Sequence, residues 1–125
     1  MKNLQALSSS SIVGTNVYNK AGESLGDIKD LMIDTSNGRI AYAVLSFGGF
    51  LGIGDKYFAM PFEAFTIDTT NERFVLNVDK ERLENAPGFD KDNWPDSSNH
   101  DYLTKVYDYY NYKPYWTNQA RTTMV

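Results

Sequence analysis

The sequence predicts a mainly β fold with one short helix after the last strand and a helical extension at the C-terminus. Short apolar runs separated by turn-forming residues continue to about residue 78, an Asn-Gly pair divides two of the longest runs, and helical spacing begins only beyond Asp79. A chain of 125 residues suits one domain with one core, because about two thirds of its unfolded surface can be buried at that size.

In chain order, the first strand is expected from Ile12 to Tyr18, closed by Asn19-Lys20-Ala21-Gly22. The second runs from Leu25 to Asp34 and turns at Thr35-Ser36-Asn37-Gly38, where Asn and Gly tolerate the positive dihedrals of a tight hairpin. The third, Arg39 to Phe47, is apolar on both faces and should therefore be covered on both. A fourth, Tyr57 to Met60, stops at Pro61, which cannot donate to a ladder and marks a strand end or an edge. Phe65 to Asp68 and Arg73 to Val78 form a last pair around Thr69-Thr70-Asn71-Glu72, with Phe74, Leu76 and Val78 facing inward. Asp79 then caps a short helix, Lys80 to Ala86, that Pro87-Gly88 ends. Phe89 to Asn99 reads as an extended connector anchored by Phe89 and Trp94. A second helix begins near Asp101, its stripe formed by Tyr102, Val106, Tyr109 and Lys113 and widened by Leu103 and Tyr110, and Pro114 stops it. The division expected is a flexible lead over 1–10, the β domain over 11–88, and a connector, aromatic helix and polar tail over 89–125.

Composition narrows the function. Without cysteine there is no disulfide framework, thiolate metal site or cysteine nucleophile. A net charge of -4, with Lys and Arg scattered singly, lacks the basic surface that supplies most nucleic-acid affinity, so no direct nucleic-acid contact is expected. The first ten residues hold too few consecutive apolar positions for a signal-peptide core, and no stretch is long enough to span a bilayer. The expected setting is cytoplasmic, without membrane insertion.

Each candidate for chemistry meets an obstacle. The run Gly48-Gly49-Phe50-Leu51-Gly52-Ile53-Gly54 could aim amides at an anion, but it leads into a strand and lacks the Gly-Lys-Ser/Thr or helix-opening glycine of the phosphate-binding motifs. A glycine-dependent connection explains it, and Phe50, Leu51 and Ile53 make it a candidate contact surface. Asp27, Asp30 and Asp34 lack the loop spacing of a hard-cation site and read as turn and surface groups. His100 is the only histidine, with no Gly-x-Ser-x-Gly elbow beside it, and reads as a solvated or helix-start residue. Tyr107, Tyr109, Tyr110, Tyr112, Tyr115 and Trp116 could stack on bases, yet a basic groove is missing, so packing against the sheet or a partner chain is expected instead.

Val13-Gly14, Val17-Tyr18 and Gly22-Glu23-Ser24-Leu25-Gly26-Asp27-Ile28-Lys29-Asp30-Leu31-Met32-Ile33-Asp34 together resemble the opening of the PRC-barrel family. The resemblance continues in order through Gly38 to Val44, Phe47 to Gly54, Met60-Pro61-Phe62 and Phe74 to Asp79. Ala86-Pro87-Gly88-Phe89 and Asn93-Trp94-Pro95 are similar to elements of stand-alone bacterial members, so that residues 10 to 96 are covered. It implies a compact six-stranded antiparallel barrel of the kind found in the cytoplasmic part of the photosynthetic reaction centre H subunit and in a ribosomal RNA maturation factor, both of which use it for docking. It carries over no catalytic residues.

The function expected is therefore a non-catalytic protein-binding or adaptor module, without cofactor or metal, that self-associates as a homodimer and meets an unidentified protein partner. The candidate interface residues are Phe50, Leu51 and Ile53 with Tyr109, Tyr110 and Trp116. Two alternatives stay open: a small-ligand binder or enzyme with a pocket between the barrel and the C-terminal helix, lined by tyrosines and Asp30 or Asp34, and a factor associated with the ribosome or RNA processing.

Overall fold

The computed structural model describes residues 6–48, 55–90, 92–96 and 100–116. It opens with α1, Ser9–Ile12, where a strand was expected from Ile12. The cause is local: the Ser8 hydroxyl oxygen accepts the Ser11 amide at 3.2 Å and caps one helical turn, which carries Ile12 into the core. Strand β1 is correspondingly shorter, Asn16–Tyr18.

The next two strands, β2 (Ser24–Asp34) and β3 (Arg39–Gly48), form the expected hairpin. At its turn the Asn37 and Gly38 amides both donate to the Asp34 carbonyl, and Gly38 takes the positive dihedral at φ 75°. Strand β4, Asp55–Met60, ends at Pro61 as expected, and a 3-10 turn over Phe62–Ala64 leads into β5, Phe65–Asp68. Strand β6, Arg73–Leu76, pairs back on β5. The Asp79 carboxylate accepts the Arg82 amide and starts α2, Lys80–Glu84, which Asn85 ends two residues before the expected Ala86. Beyond it lie β7, Gly88–Phe89, and α3, Asp101–Tyr109.

These strands build one seven-stranded sheet in the order β5-β6-β1-β2-β3-β4-β7. The six-stranded antiparallel barrel expected above is corrected in three respects. A seventh strand follows α2, because Gly88 and Phe89 pair with Phe58 and Tyr57 of β4. One pair is parallel: β1 runs alongside β6, Val17 opposite Phe74. Among the described residues no ladder joins β5 to β7, so the sheet keeps two edges and is not closed.

Strand β3 lies inside the sheet, and residues 41–47 are all buried, as its doubly apolar sequence requires. The core around it is fully apolar at its centre, with Val17, Leu25, Ile28, Val44, Leu45, Met60, Leu76 and Val106 shielded from water. Register shifts bend the long β2–β3 ladder twice. Lys29 is the extra residue on β2, and Ala41 is the extra residue on β3.

Gly26 shows how tightly β2 approaches β3. Its φ is +107°, and a Cβ built there would lie 1.9 Å from the Ser46 carbonyl oxygen, a backbone atom with nowhere to go. Gly26→Ala should therefore destabilise the fold by about 3 kcal/mol or more, combining the strained dihedral with strand separation. Urea denaturation followed by circular dichroism measures it, and a loss under about 1 kcal/mol would contradict this packing.

Candidate functional site

The C-terminal helix is fastened to the sheet by tyrosine hydroxyls. Helix α3 turns Leu103, Val106, Tyr107 and Tyr110 inward, the three- and four-residue spacing of a buried helical face. That corrects the expected stripe: Tyr107 takes the place given to Tyr109, and Lys113 is exposed. The Tyr107 hydroxyl donates to the Ala41 carbonyl at 2.8 Å, and Tyr102 donates to the Pro87 carbonyl at 3.0 Å. Tyr109 donates to the Arg82 carbonyl at 2.6 Å, while the Arg82 guanidinium lies 4.5 Å from the Tyr109 ring centre and donates back to the Tyr109 carbonyl.

After α3 the chain reverses at Asn111, whose φ is 66°, and the Tyr112 amide donates to the Tyr107 carbonyl. This reversal returns Tyr115 and Trp116 to the β2–β3 hairpin. The Tyr115 hydroxyl donates to Asp34 Oδ2 at 2.6 Å across 81 positions of sequence. Trp116 stacks on His100 with ring centres 3.9 Å apart and planes 16° from parallel. Tyr107, Tyr115 and Trp116 contact one another with ring centres 5.1 to 6.2 Å apart.

Between hairpin and helix this leaves a cleft of about 370 Å³, within the range of small-molecule sites. One wall is the end of the hairpin, from Met32 to Ser36 with Ala41 and Tyr42; the other is Pro95, Asp96, His100, Tyr102, Leu103, Tyr115 and Trp116. Asp34 sits at the junction. Its Oδ1 accepts the Ser36 amide at 3.0 Å and the Ser36 hydroxyl at 2.6 Å, and Tyr115 occupies Oδ2. The Ser36 hydroxyl does most to hold the carboxyl below the usual range, followed by the Tyr115 hydroxyl, with the Ser36 amide and the His100 charge assisting.

The tyrosines shift the other way. Burial pushes Tyr102 up to about 12 and raises Tyr107 and Tyr110 further. Tyr115 is raised by burial first and then by its bond to Asp34. Tyr42 is raised by burial and by the nearby charge of Asp30. Asp30 itself stays outside the cleft, its carboxylate accepting the Leu31 amide, so only Asp34 of the two expected carboxylates is at the site.

Of the expected interface residues, Trp116 lines the cleft and Tyr109 is half-buried against Arg82. Tyr110 turns into the core, with 7% of its surface exposed. Phe50, Leu51 and Ile53 lie outside the described residues. Tyr102 was expected in the helix stripe and tyrosines were expected around a pocket, but Tyr42 was not assigned to one, because a tyrosine on a covered strand carries no mark of facing a cleft. Among the described residues no three His, Asp or Glu side chains converge as metal ligands would, and no helix is long and apolar enough to cross a membrane.

A family model described as the PRC-barrel domain matches residues 5–83. The hairpin wall of the cleft falls inside that span, and Pro95 to Trp116 fall beyond it. No curated protein matches the chain. Among solved structures the chain is similar to a 16S ribosomal RNA processing protein, RimM, of Pseudomonas aeruginosa, at 18% identity and a TM-score of 0.43; the match covers 62% of this chain and 47% of that one, about half its length.

The raised tyrosines set an alkaline limit. A group whose folded pKa exceeds its unfolded value near 10 stabilises fully below that value and loses its contribution as pH climbs toward the folded one. Stability should therefore hold below pH 10 and fall steeply above it, with tyrosinate absorbance rising together with unfolding. Absorbance at 295 nm beside circular dichroism checks this, and independent ionisation of most tyrosines near pH 10 in a folded protein would contradict it.

Proposed function

The chain belongs to the PRC-barrel domain family, and from that premise we propose a non-catalytic binding module that docks a partner protein through the face built by the β2–β3 hairpin and the C-terminal helix. The bond from Tyr115 to Asp34 carries this reading. It joins two walls distant in sequence through a charge-assisted contact, so the cleft is rigid before anything enters, and preorganisation lowers the cost of binding.

The protonation states of Asp34 and the cleft tyrosines suit binding better than acid–base chemistry at those groups. A general acid or base works best with a pKa near the operating pH. Here the Asp34 carboxyl is held down and the cleft tyrosines are held up, so these groups are not poised for proton transfer near neutrality.

A second face favours self-association. Exposed Leu7, Val13 and Ile67 surround a groove of about 540 Å³ between α1 and the β5–β6 hairpin. Among the described residues β5 is a sheet edge there, and such an edge beside apolar side chains suits strand addition by a second copy.

Thr35→Trp places bulk at the first face and Thr69→Trp at the second, both on exposed turn residues. Thr35→Trp should abolish capture of specific partners from native lysate, as read by mass spectrometry, while Thr69→Trp retains them and lowers the mass measured by light scattering from dimer to monomer. Partners unaffected by Thr35→Trp would overturn the first reading, and a mass unaffected by Thr69→Trp would overturn the second.

A further inference from the structure

We propose that the cleft between hairpin and C-terminal helix receives an organic cation, a guanidinium or alkylammonium group, and that its source is an Arg or Lys side chain of the docked partner. This rests on the binding-module reading and names what the cleft recognises.

Charge favours it. Asp34 and Asp96 line the cleft, and no Lys or Arg is among the described residues that do. Asp34 is ionised and fixed, and Ser36 and Tyr115 supply three of the roughly four hydrogen bonds a carboxylate accepts, which leaves capacity for one incoming N–H. Asp30 adds negative potential close enough to act on the Tyr42 phenol. An anion entering the cleft would meet Asp34 and Asp96, with the charge of Asp30 close by outside it.

Tyr42, Tyr102, Tyr115 and Trp116 add aromatic rings to the lining, beside apolar Met32, Ile33, Ala41, Pro95 and Leu103. Ring faces are negative and attract cations, guanidinium groups above all. This protein already makes such contacts internally: Arg39 lies 5.7 Å from the Tyr115 ring centre, Arg73 lies 4.9 Å from that of Tyr18, and Arg82 packs over Tyr109. Arg39 and the cleft residue His100, whose charge acts on Asp34, are competing groups, and the place of Arg39 over Tyr115 shows that this ring accepts a guanidinium. A purely apolar ligand would leave the carboxylates without a new partner, whereas a cation on an alkyl stem meets both parts of the lining.

The test is titration of the ¹⁵N-labelled full chain with three probes: butylguanidinium, its neutral isostere butylurea, and a blocked Ala-Ala-Arg-Ala-Ala peptide. Butylguanidinium should move the amide signals of residues 33–36, 100–103 and 115–116 saturably, and butylurea should bind at least tenfold more weakly. Asp34→Asn should weaken butylguanidinium at least tenfold; if that variant unfolds, Asp96→Asn, on an exposed side chain, should weaken it about threefold. A peptide at least tenfold tighter than butylguanidinium assigns the cation to a partner's side chain, and equal affinity overturns that source in favour of a free small cation. Equal shifts from butylurea, or no cleft shift from either cation, overturn the cation itself. The broader reading fails separately, when Thr35→Trp leaves partner capture unchanged.

Discussion

The hydrogen bond from the Tyr107 hydroxyl to the Ala41 carbonyl, buried and 2.8 Å long, is where the C-terminal helix meets the middle of the sheet. Ala41 is the extra residue of a bulge in β3, so it has no partner across the β2 ladder. A buried carbonyl without a partner costs about 1–3 kcal/mol, and the phenol of α3 removes that cost while satisfying its own hydroxyl. The bulge and the helix therefore depend on each other. Tyr102, Tyr109 and Tyr115 repeat the pattern on Pro87, Arg82 and Asp34, each reaching a different part of the chain.

From this fastening the cleft follows. The hairpin alone would present Asp34 to water, and α3 alone would expose the faces of Tyr107 and Leu103. Held together, they enclose a space with a fixed carboxylate at one side and aromatic rings around it. Burial holds protons on the phenols, while the proton is kept off Asp34 first by the Ser36 hydroxyl within the hairpin turn and then by the Tyr115 hydroxyl across the cleft. A site so constrained suits recognition, and the family match ending at residue 83 places half of its lining outside the common domain.

Much of the sheet was legible in the sequence because its signals are local. Strands β2 and β3 and the turn between them follow from alternation, double apolarity and the Asn-Gly pair, and α2 follows from Asp79. What was missed rests on distant contacts or very short elements. The single helical turn at Ser9 to Ile12 depends on one serine hydroxyl, β7 has only two residues, and the parallel pairing of β1 with β6 joins Val17 to Phe74 without any local mark. The cleft itself was expected as one alternative, a pocket between barrel and C-terminal helix lined by tyrosines and Asp30 or Asp34, but the contact that closes it was not legible. Tyr115 follows the proline that ends the expected helix, and nothing near it in sequence points to Asp34, whereas the expected helix stripe missed Tyr107 because adjacent tyrosines blur the helical period.

The central claim is that tyrosine hydroxyls, beyond apolar packing, fix α3 and thereby shape the cleft. Amide hydrogen exchange on the variant with Phe at positions 102, 107, 109 and 115 tests it most directly, since ring area is kept and only hydroxyls are lost. The predicted result is faster exchange throughout α3, with protection in β1, β5 and β6 retained. Unchanged protection of α3 would contradict the claim and assign the helix's position to apolar contacts alone.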